Sequence, residues 1–328
     1  MNTENISKED LYLKHVRKVC DFIETKYPEI SVLMWDDQLR YLTSEGMLNE
    51  LSNLKTTPVV WQYDTDVFDK LGPSLWNQYA KFFPKVWIAS SFKGAVGENE
   101  YIVNVGHYIQ NHHSWINVLE NYKYLINFEA VIITGWQRYD HFSVLCELLP
   151  VALPSLIMNM KILEAKEETP LRSPKEVAEI LKCQQPYALM GLSFGTPRCS
   201  YPGSEILENV YHLHQLAEDF KHLEKNSVFK GWMSSFHMYY NISNPEYIFK
   251  VASQLDHLQN EINDIEKDMS AALLDVYDVF TANEWIYTYI KPLRKQISEL
   301  VNTKDRLLAK NIWPRRPFNE NYPKENQS

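Results

Sequence analysis

The sequence predicts an α/β protein: part of a β/α barrel followed by an α-helical carboxy-terminal region with a long helical hairpin. Three observations carry this. Four short apolar runs, SVLMWDD (31–37), PVVWQYD (58–64), KVWIASSFKG (85–94) and VIITGWQRYDH (131–141), each close on Trp, Tyr, Phe, Asp or Lys. Helical segments lie between them, and strands alternating with helices build a parallel sheet. Further on, Ile248, Val251, Leu255, Leu258, Ile262, Ile265, Met269, Ala272, Val276 and Val279 keep a three-and-four spacing, the seam of a long packed helix.

In chain order, Leu13, Val16, Cys20 and Ile23 draw one apolar stripe on a helix from Asp10 to Lys26, which Pro28 ends. The Val32 strand comes next, then a short helix over Glu45–Leu54 and the Val59 strand. A helix is predicted over Val67–Phe83, and after the Val86 strand a long one over Val103–Leu125, with Tyr108, Trp115, Val118 and Leu119 available for burial. The β-branched run Val131–Thr134 makes a fourth strand that stops at Gly135, and an apolar helix-like run follows His141. Only four strand-to-loop units precede Pro150, whereas a closed barrel of this kind has eight.

Bulk properties exclude several functions. The chain has 328 residues, 45% of them hydrophobic, enough to bury a large core. A net charge of −9, without clustered Lys and Arg, argues against a nucleic-acid partner. The most apolar stretch, Val144–Met158, is broken by Glu147, Pro150 and Pro154, so no membrane span is expected. The polar first residues carry no signal-peptide core. Cys20, Cys146, Cys183 and Cys199 have no metal-ligand spacing and suit reduced thiols, so an intracellular protein is expected, with the sequons at Asn5 and Asn241 fortuitous.

Trp35–Asp36–Asp37, Trp61–Gln62–Tyr63–Asp64, Ser90–Ser91–Phe92–Lys93–Gly94–Ala95 and Thr134–Gly135–Trp136–Gln137–Arg138–Tyr139–Asp140–His141, with Cys146–Glu147–Leu148–Leu149–Pro150 after them, resemble glycoside hydrolase family 20. The hexosaminidase D branch matches best. The resemblance implies the C-terminal half of a TIM (β/α)₈ barrel. It also implies removal of terminal β-linked N-acetylgalactosamine or N-acetylglucosamine from glycoconjugates, by an enzyme of cytoplasm and nucleus that needs no cofactor. In that family the substrate's acetamide oxygen is the nucleophile, while an Asp–Glu pair after the fourth strand orients it and protonates the leaving group. No Asp–Glu dipeptide occurs in this sequence. The chain is therefore expected to be a portion of such an enzyme, inactive by itself.

Within the resemblance, Trp35, Trp61 and Trp136 are candidates to face an N-acetyl sugar, whose C–H faces and acetamide suit aromatic walls. Tryptophans packed between strands and helices would satisfy the same pattern. Tyr63 and Tyr139 are candidates for the hydroxyl that holds the acetamide; better-studied members take it from the preceding strand, where this sequence has Ser91 and Phe92. Asp37, Asp64, Arg138 and Asp140 are candidates for sugar hydroxyls, or else for a rim ion network. His107, His112 and His113 lie mid-helix rather than at a strand end, which argues against a metal site. His141 reads as a hydrogen-bond partner within RYDH. Cys146 and Glu147, placed on the helix after the fourth strand, read as buttresses.

Beyond the barrel portion (1–163), residues 164–203 form a linker with a charged Glu164–Thr169 segment, a capping box at Ser173–Glu176 and a Gly/Ser/Pro-rich loop over 186–203. A helical domain (204–312) then opens with an amphipathic helix carrying Ile206, Leu207, Val210, Leu213 and Leu216. An aromatic connector over Gly231–Tyr240 follows. The long seam and a second helix, Trp285–Leu308, make a hairpin packed on its own chain or on a second copy. Residues 313–328 form a Pro- and Asn-rich tail expected to be disordered. The alternatives to a hexosaminidase are a non-catalytic carbohydrate-binding or regulatory remnant of one, and a scaffold built on the hairpin.

Overall fold

The structure, a computed structural model, describes residues 7–42, 45–165, 173–310 and 313–318. The predicted features over 1–6, 166–169 and 319–328, and the Ser173 side chain, lie outside the described residues.

Helix α1 (Lys8–Lys26) is capped by Ser7, whose hydroxyl accepts the Asp10 amide, and it buries Leu13, Val16 and Cys20. Strand β1 (Val32–Trp35), a 3₁₀ turn (Leu39–Tyr41), helix α2 (Glu45–Asn53) and strand β2 (Thr56–Trp61) follow. The helix predicted over Val67–Phe83 is two helices, α3 (Val67–Lys70) and α4 (Pro73–Phe82). Pro73 has no amide hydrogen to continue the ladder from α3, and it opens α4 instead. Strand β3 (Val86–Lys93), helix α5 (Val105–Tyr122) and strand β4 (Phe128–Gly135) complete a four-stranded sheet in the order β1-β2-β3-β4, parallel throughout. A register irregularity between Ser91 and Lys93 bends the end of β3 beside Gly135. The architecture is α/β and consistent with a partial TIM-barrel-like fold.

The chain does not turn helical straight after His141. Residues 136–148 form an irregular loop, and α6 begins at Leu149 and ends at Ala165. Asp140 accounts for the delay, because its carboxylate accepts the amides of Phe142 (2.7 Å) and Ser143 (2.8 Å) and stabilises a turn that competes with helix. Cys146 and Glu147 therefore sit in the loop, not on a helix.

Helix α7 (Ser173–Leu181) leads into 3₁₀ turns at Pro186–Met190 and Leu192–Phe194. Two of the four cysteines are not free: Cys183 and Cys199 form a disulfide. The chain doubles back so that the Gln184 amide donates to Arg198 (2.9 Å) and Ser200 to Leu181 (3.3 Å), which sets the two thiols opposite each other. Cys20 and Cys146 remain free and buried. Cysteine usage thus no longer argues for a reducing compartment. No helix among the described residues is long and apolar enough to cross a membrane.

Helices α8 (Ser204–Lys225), α9 (Ser227–Trp232), α10 (Ser235–Tyr240) and α11 (Pro245–Leu274) come next. The seam on α11 is buried from Ile248 to Ala272. It stops there: Val276 is 43% and Val279 50% exposed, because the helix has ended at Leu274. The predicted second helix is interrupted as well, into α12 (Val279–Trp285), a π-helical turn (Ile286–Ile290) and α13 (Lys291–Leu308). Pro292 cannot donate to the carbonyl four residues back, and the turn before it widens so that the Lys291 amide reaches Ile286. Helix α13 runs antiparallel to α11, with Arg294 paired to Glu266, Ser298 to Gln259 and Lys304 to Asp256. Of the predicted disordered tail, residues 313–318 are ordered enough for Phe318 to stack on Phe236 of α10.

Two clusters of buried side chains hold the fold. One lies under the sheet, between β1–β3 and helices α1, α2, α4 and α5. The other runs without a break from Phe92 and Tyr108 through α6 and α8 to Leu255, Trp285 and Leu307. Leu255 is fully buried in the second cluster. Leu255→Ala is expected to lower stability by about 2–5 kcal/mol, whereas Val276→Ala at the exposed end of the same seam should change it by less than about 0.5 kcal/mol. Denaturant midpoints of the two variants check this, and equal losses would mean that the seam does not end where the helix does.

Candidate active site

The sheet positions its functional side chains by delivering four strand ends to one rim. Trp35 ends β1 and Asp37 follows it, Trp61 ends β2 and Gln62, Tyr63 and Asp64 follow it, Gly94 and Ala95 follow β3, and Trp136, Arg138 and Tyr139 follow β4. Together they line an open cavity of about 450 Å³. Its wall is aromatic, with ring centroids 5.9 Å apart for Trp35 and Trp136, 6.4 Å for Tyr63 and Trp136, and 5.1 Å for Trp61 and Tyr63. Eight of the nine predicted site residues are brought together in this lining. Asp140 is not among them, since its carboxylate is committed to its own turn.

Trp61 is fixed on three sides. Its indole N–H donates to Asp37 (2.8 Å), its carbonyl accepts from Arg40 (2.9 Å), and the Arg40 guanidinium lies 5.1 Å from its ring centre. Arg40 is itself held by Asp36, a fully buried carboxylate that takes two N–H groups from Arg40 and the hydroxyl of Tyr79 (3.1 Å). Asp36 and Asp37 are adjacent and chemically identical, and only alternation across the strand end sends one into the core and the other to the cavity. Sequence reasoning did not single out Asp36. The signal available was Arg40 four residues on.

Helix α5 clamps the loop after β2. His107, Asn111 and Trp115 are spaced four apart, so they form one stripe. His107 Nε2 meets the Tyr63 carbonyl at 2.7 Å, Asn111 donates to Gln62 and Asp64, and Trp115 donates to Gln62 at 3.0 Å. His112 is on another face, wholly buried against β3. Its Nδ1 must carry a proton to donate to the Tyr108 carbonyl (2.8 Å), which leaves Nε2 to accept from the Ser90 hydroxyl (2.9 Å). Burial lowers its pKa from the usual 6.5 to about 4. These histidines are structural.

The fourth strand end is secured by close approach. Gly94 has φ +69°, and a Cβ there would sit 2.0 Å from the Trp136 carbonyl oxygen; at Gly135 it would strike the Phe92 ring at 2.4 Å. The buried Lys93 ammonium donates to the Trp136 carbonyl, and the Trp136 amide donates back to Lys93 at 3.3 Å. Behind them, the buried Glu147 carboxylate accepts the Gly94 amide (2.8 Å) and the Tyr108 hydroxyl (3.3 Å). Burial pushes Lys93 down and Glu147 up from their ordinary ranges. Burial likewise raises Tyr63 and takes Tyr139 to about 12. Both phenols are thus protonated, and each keeps an O–H to donate.

At the rim, Arg138 forms a two-pronged pair with Glu284 of α12 and donates to the Ser143 carbonyl (2.8 Å). Asp64 pairs with Lys70 (3.3 Å) in the open. His141 is exposed, its ring against Phe142. Of the four predicted rim charges, Arg138 and Asp64 are ion-paired, neither with another of the four, while Asp37 and Asp140 are held by neutral N–H donors.

No protein-family model matches the chain. It is similar to hexosaminidase D of Homo sapiens, 29% identical over 326 residues that cover 97% of this chain and 65% of the relative. It is also similar to hexosaminidase D of Bos taurus, 39% identical over 165 residues that cover 50% of this chain and 47% of that protein. Both matches support a hexosaminidase D-like relationship, and the chain spans less than two thirds of the length of either relative.

Removing the Asp36 carboxylate leaves Arg40 inside without its counter-charge, so Asp36→Ala is expected to cost about 3–5 kcal/mol in a denaturant titration, against less than about 1 kcal/mol for Asp37→Ala. A reversed order would show that Asp37 carries the anchoring. His112 sets a pH dependence. Between pH 6.5 and about 4 the unfolded chain binds a proton that the native imidazole refuses, so its contribution to stability is lost as pH falls through that window, by on the order of 2–3 kcal/mol. His112→Asn should remove that component of the slope when midpoints at acid and neutral pH are compared with wild type. An unchanged slope would mean that another group titrates there.

Proposed function

We propose that this chain supplies the aromatic, sugar-holding part of a β-N-acetylhexosaminidase site. In this reading the cavity takes a terminal N-acetylgalactosamine or N-acetylglucosamine residue of a glycoconjugate. The single observation that carries the reading is the convergence of Trp35, Trp61, Tyr63 and Trp136 from three strand ends around about 450 Å³, a volume suited to one sugar ring. Relatives named hexosaminidase D support the same direction.

Trp136 walls the acetamide and Trp35 and Trp61 meet the C–H faces of the ring. The Tyr63 hydroxyl, beside Trp136, donates to the acetamide oxygen and holds it toward the anomeric carbon. Asp37, kept in place by the Trp61 indole, accepts a sugar hydroxyl. Such orientation is what a substrate-assisted reaction needs, because the internal nucleophile gains its rate from a restricted approach. Departure of the aglycone also requires a proton donor. No Asp–Glu dipeptide occurs in the sequence to match the family's acid pair, so in this proposal the chain by itself binds the sugar without releasing it.

Tryptophan fluorescence and saturation-transfer NMR with N-acetylgalactosamine and N-acetylglucosamine test the reading on the full 328-residue chain. Wild type should bind, and Trp136→Ala should lose about tenfold or more in affinity, the scale of one aromatic contact, while its denaturation midpoint moves little because the indole is 38% exposed. Nitrophenyl N-acetylgalactosaminide should release no nitrophenol. Unchanged binding by Trp136→Ala, or none by wild type, overturns the assignment.

A further inference from the structure

We infer that Glu284, in the carboxy-terminal helical region, is a positioning residue for the sugar cavity and acts through Arg138. The inference rests on the reading of the cavity as an N-acetylhexosamine site. Arg138 lines that cavity from the loop after β4. Its Nη1 and Nη2 donate to the two oxygens of Glu284 at 2.5 and 2.6 Å, and Nη1 donates also to the Ser143 carbonyl. Three of five N–H groups are thereby used. The Nε–H and the second Nη2–H, on the side edge of the guanidinium, have no partner among the described residues. An Arg fork clamped at its tip presents that side edge in one orientation, and two parallel donors fit adjacent ligand oxygens.

The clamp is itself anchored. Glu284 is followed by Trp285, wholly buried in the core that links α6, α8, α11 and α13. One turn further, the hydroxyl of Tyr289 in the π-helical turn donates to the Leu145 carbonyl. The segment 138–145 is thus tied to the helical region at both ends. Without the carboxylate, the long Arg138 stem would sample many rotamers and pay that entropy on binding.

Arg138 and Glu284 are each about one-third exposed, 32% and 34% by side chain, so their pair contributes little to stability. A purely structural role and a positioning role therefore separate cleanly. The test uses the full chain with Glu284→Gln, Arg138→Ala and the double variant, each titrated with N-acetylgalactosamine and unfolded in denaturant, with Trp136→Ala alongside. Glu284→Gln should weaken sugar binding about five- to tenfold with the midpoint nearly unmoved. The double variant should bind no more weakly than Arg138→Ala alone, because two residues acting in series are not additive. Wild-type affinity in Glu284→Gln, or a further loss on adding it to Arg138→Ala, overturns the inference. If Trp136→Ala binds weakly while Glu284→Gln binds normally, the inference fails and the cavity reading stands. Absence of binding by wild type overturns both.

Discussion

A single buried carboxylate governs the rim of this sheet. Asp36 is inside the protein as an ion only because Arg40, Tyr79 and the Trp61 amide occupy its lone pairs, and desolvation would otherwise exceed any attraction. That requirement fixes the ends of β1 and β2 relative to each other and to α4. Arg40, drawn in by Asp36, then fixes the Trp61 carbonyl and lies against its ring. The placement of Trp61 in the aromatic wall is thus a consequence of burying one charge. An indole in water would need no such partner, and would hold no orientation.

The same logic recurs on the other side of the cavity. Strand ends release carbonyls that no further strand residue accepts, and buried carbonyls need donors. The stripe His107, Asn111 and Trp115 supplies them for the loop after β2, so a helix otherwise devoted to packing carries polar groups toward the sheet. Lys93 does this for Trp136 and Glu147 receives the amide of Gly94. Burial disfavours the charged form of each, which moves Lys93 down and Glu147 up, and the attraction between the two opposes both shifts.

Much of the site was legible in the sequence because apolar runs closing on aromatics mark strand ends whatever surrounds them. Trp35, Trp61, Tyr63 and Trp136 meet as that pattern implies. What escaped was decided by geometry with no local signature. Asp36 and Asp37 differ by one step of strand alternation. Asp140 looks like a ligand in RYDH, yet is an ordinary turn former, and that turn delays α6 to Leu149. The partner of Arg138 lies 146 positions away on α12, and no local pattern links the two segments. Cys183 and Cys199 pair because the intervening loop folds back, which spacing alone does not encode. Val276 continues a perfect periodicity past the point where the helix stops.

The π-helical turn at Ile286–Ile290 sets the phase of everything after it. A π turn holds about one residue more than an α turn, and each residue of an α-helix advances the azimuth by roughly 100°. The residues of α13 that meet α11, from Arg294 to Lys304, are therefore clocked to α12 through that extra residue. Shorten the turn by one position and the helix becomes regular, but its polar and apolar meridians rotate out of step with α11. Regularity and correct assembly are mutually exclusive at this place, so the widened turn works as a gear tooth between the helix that grips the cavity loop and the helix that closes the core.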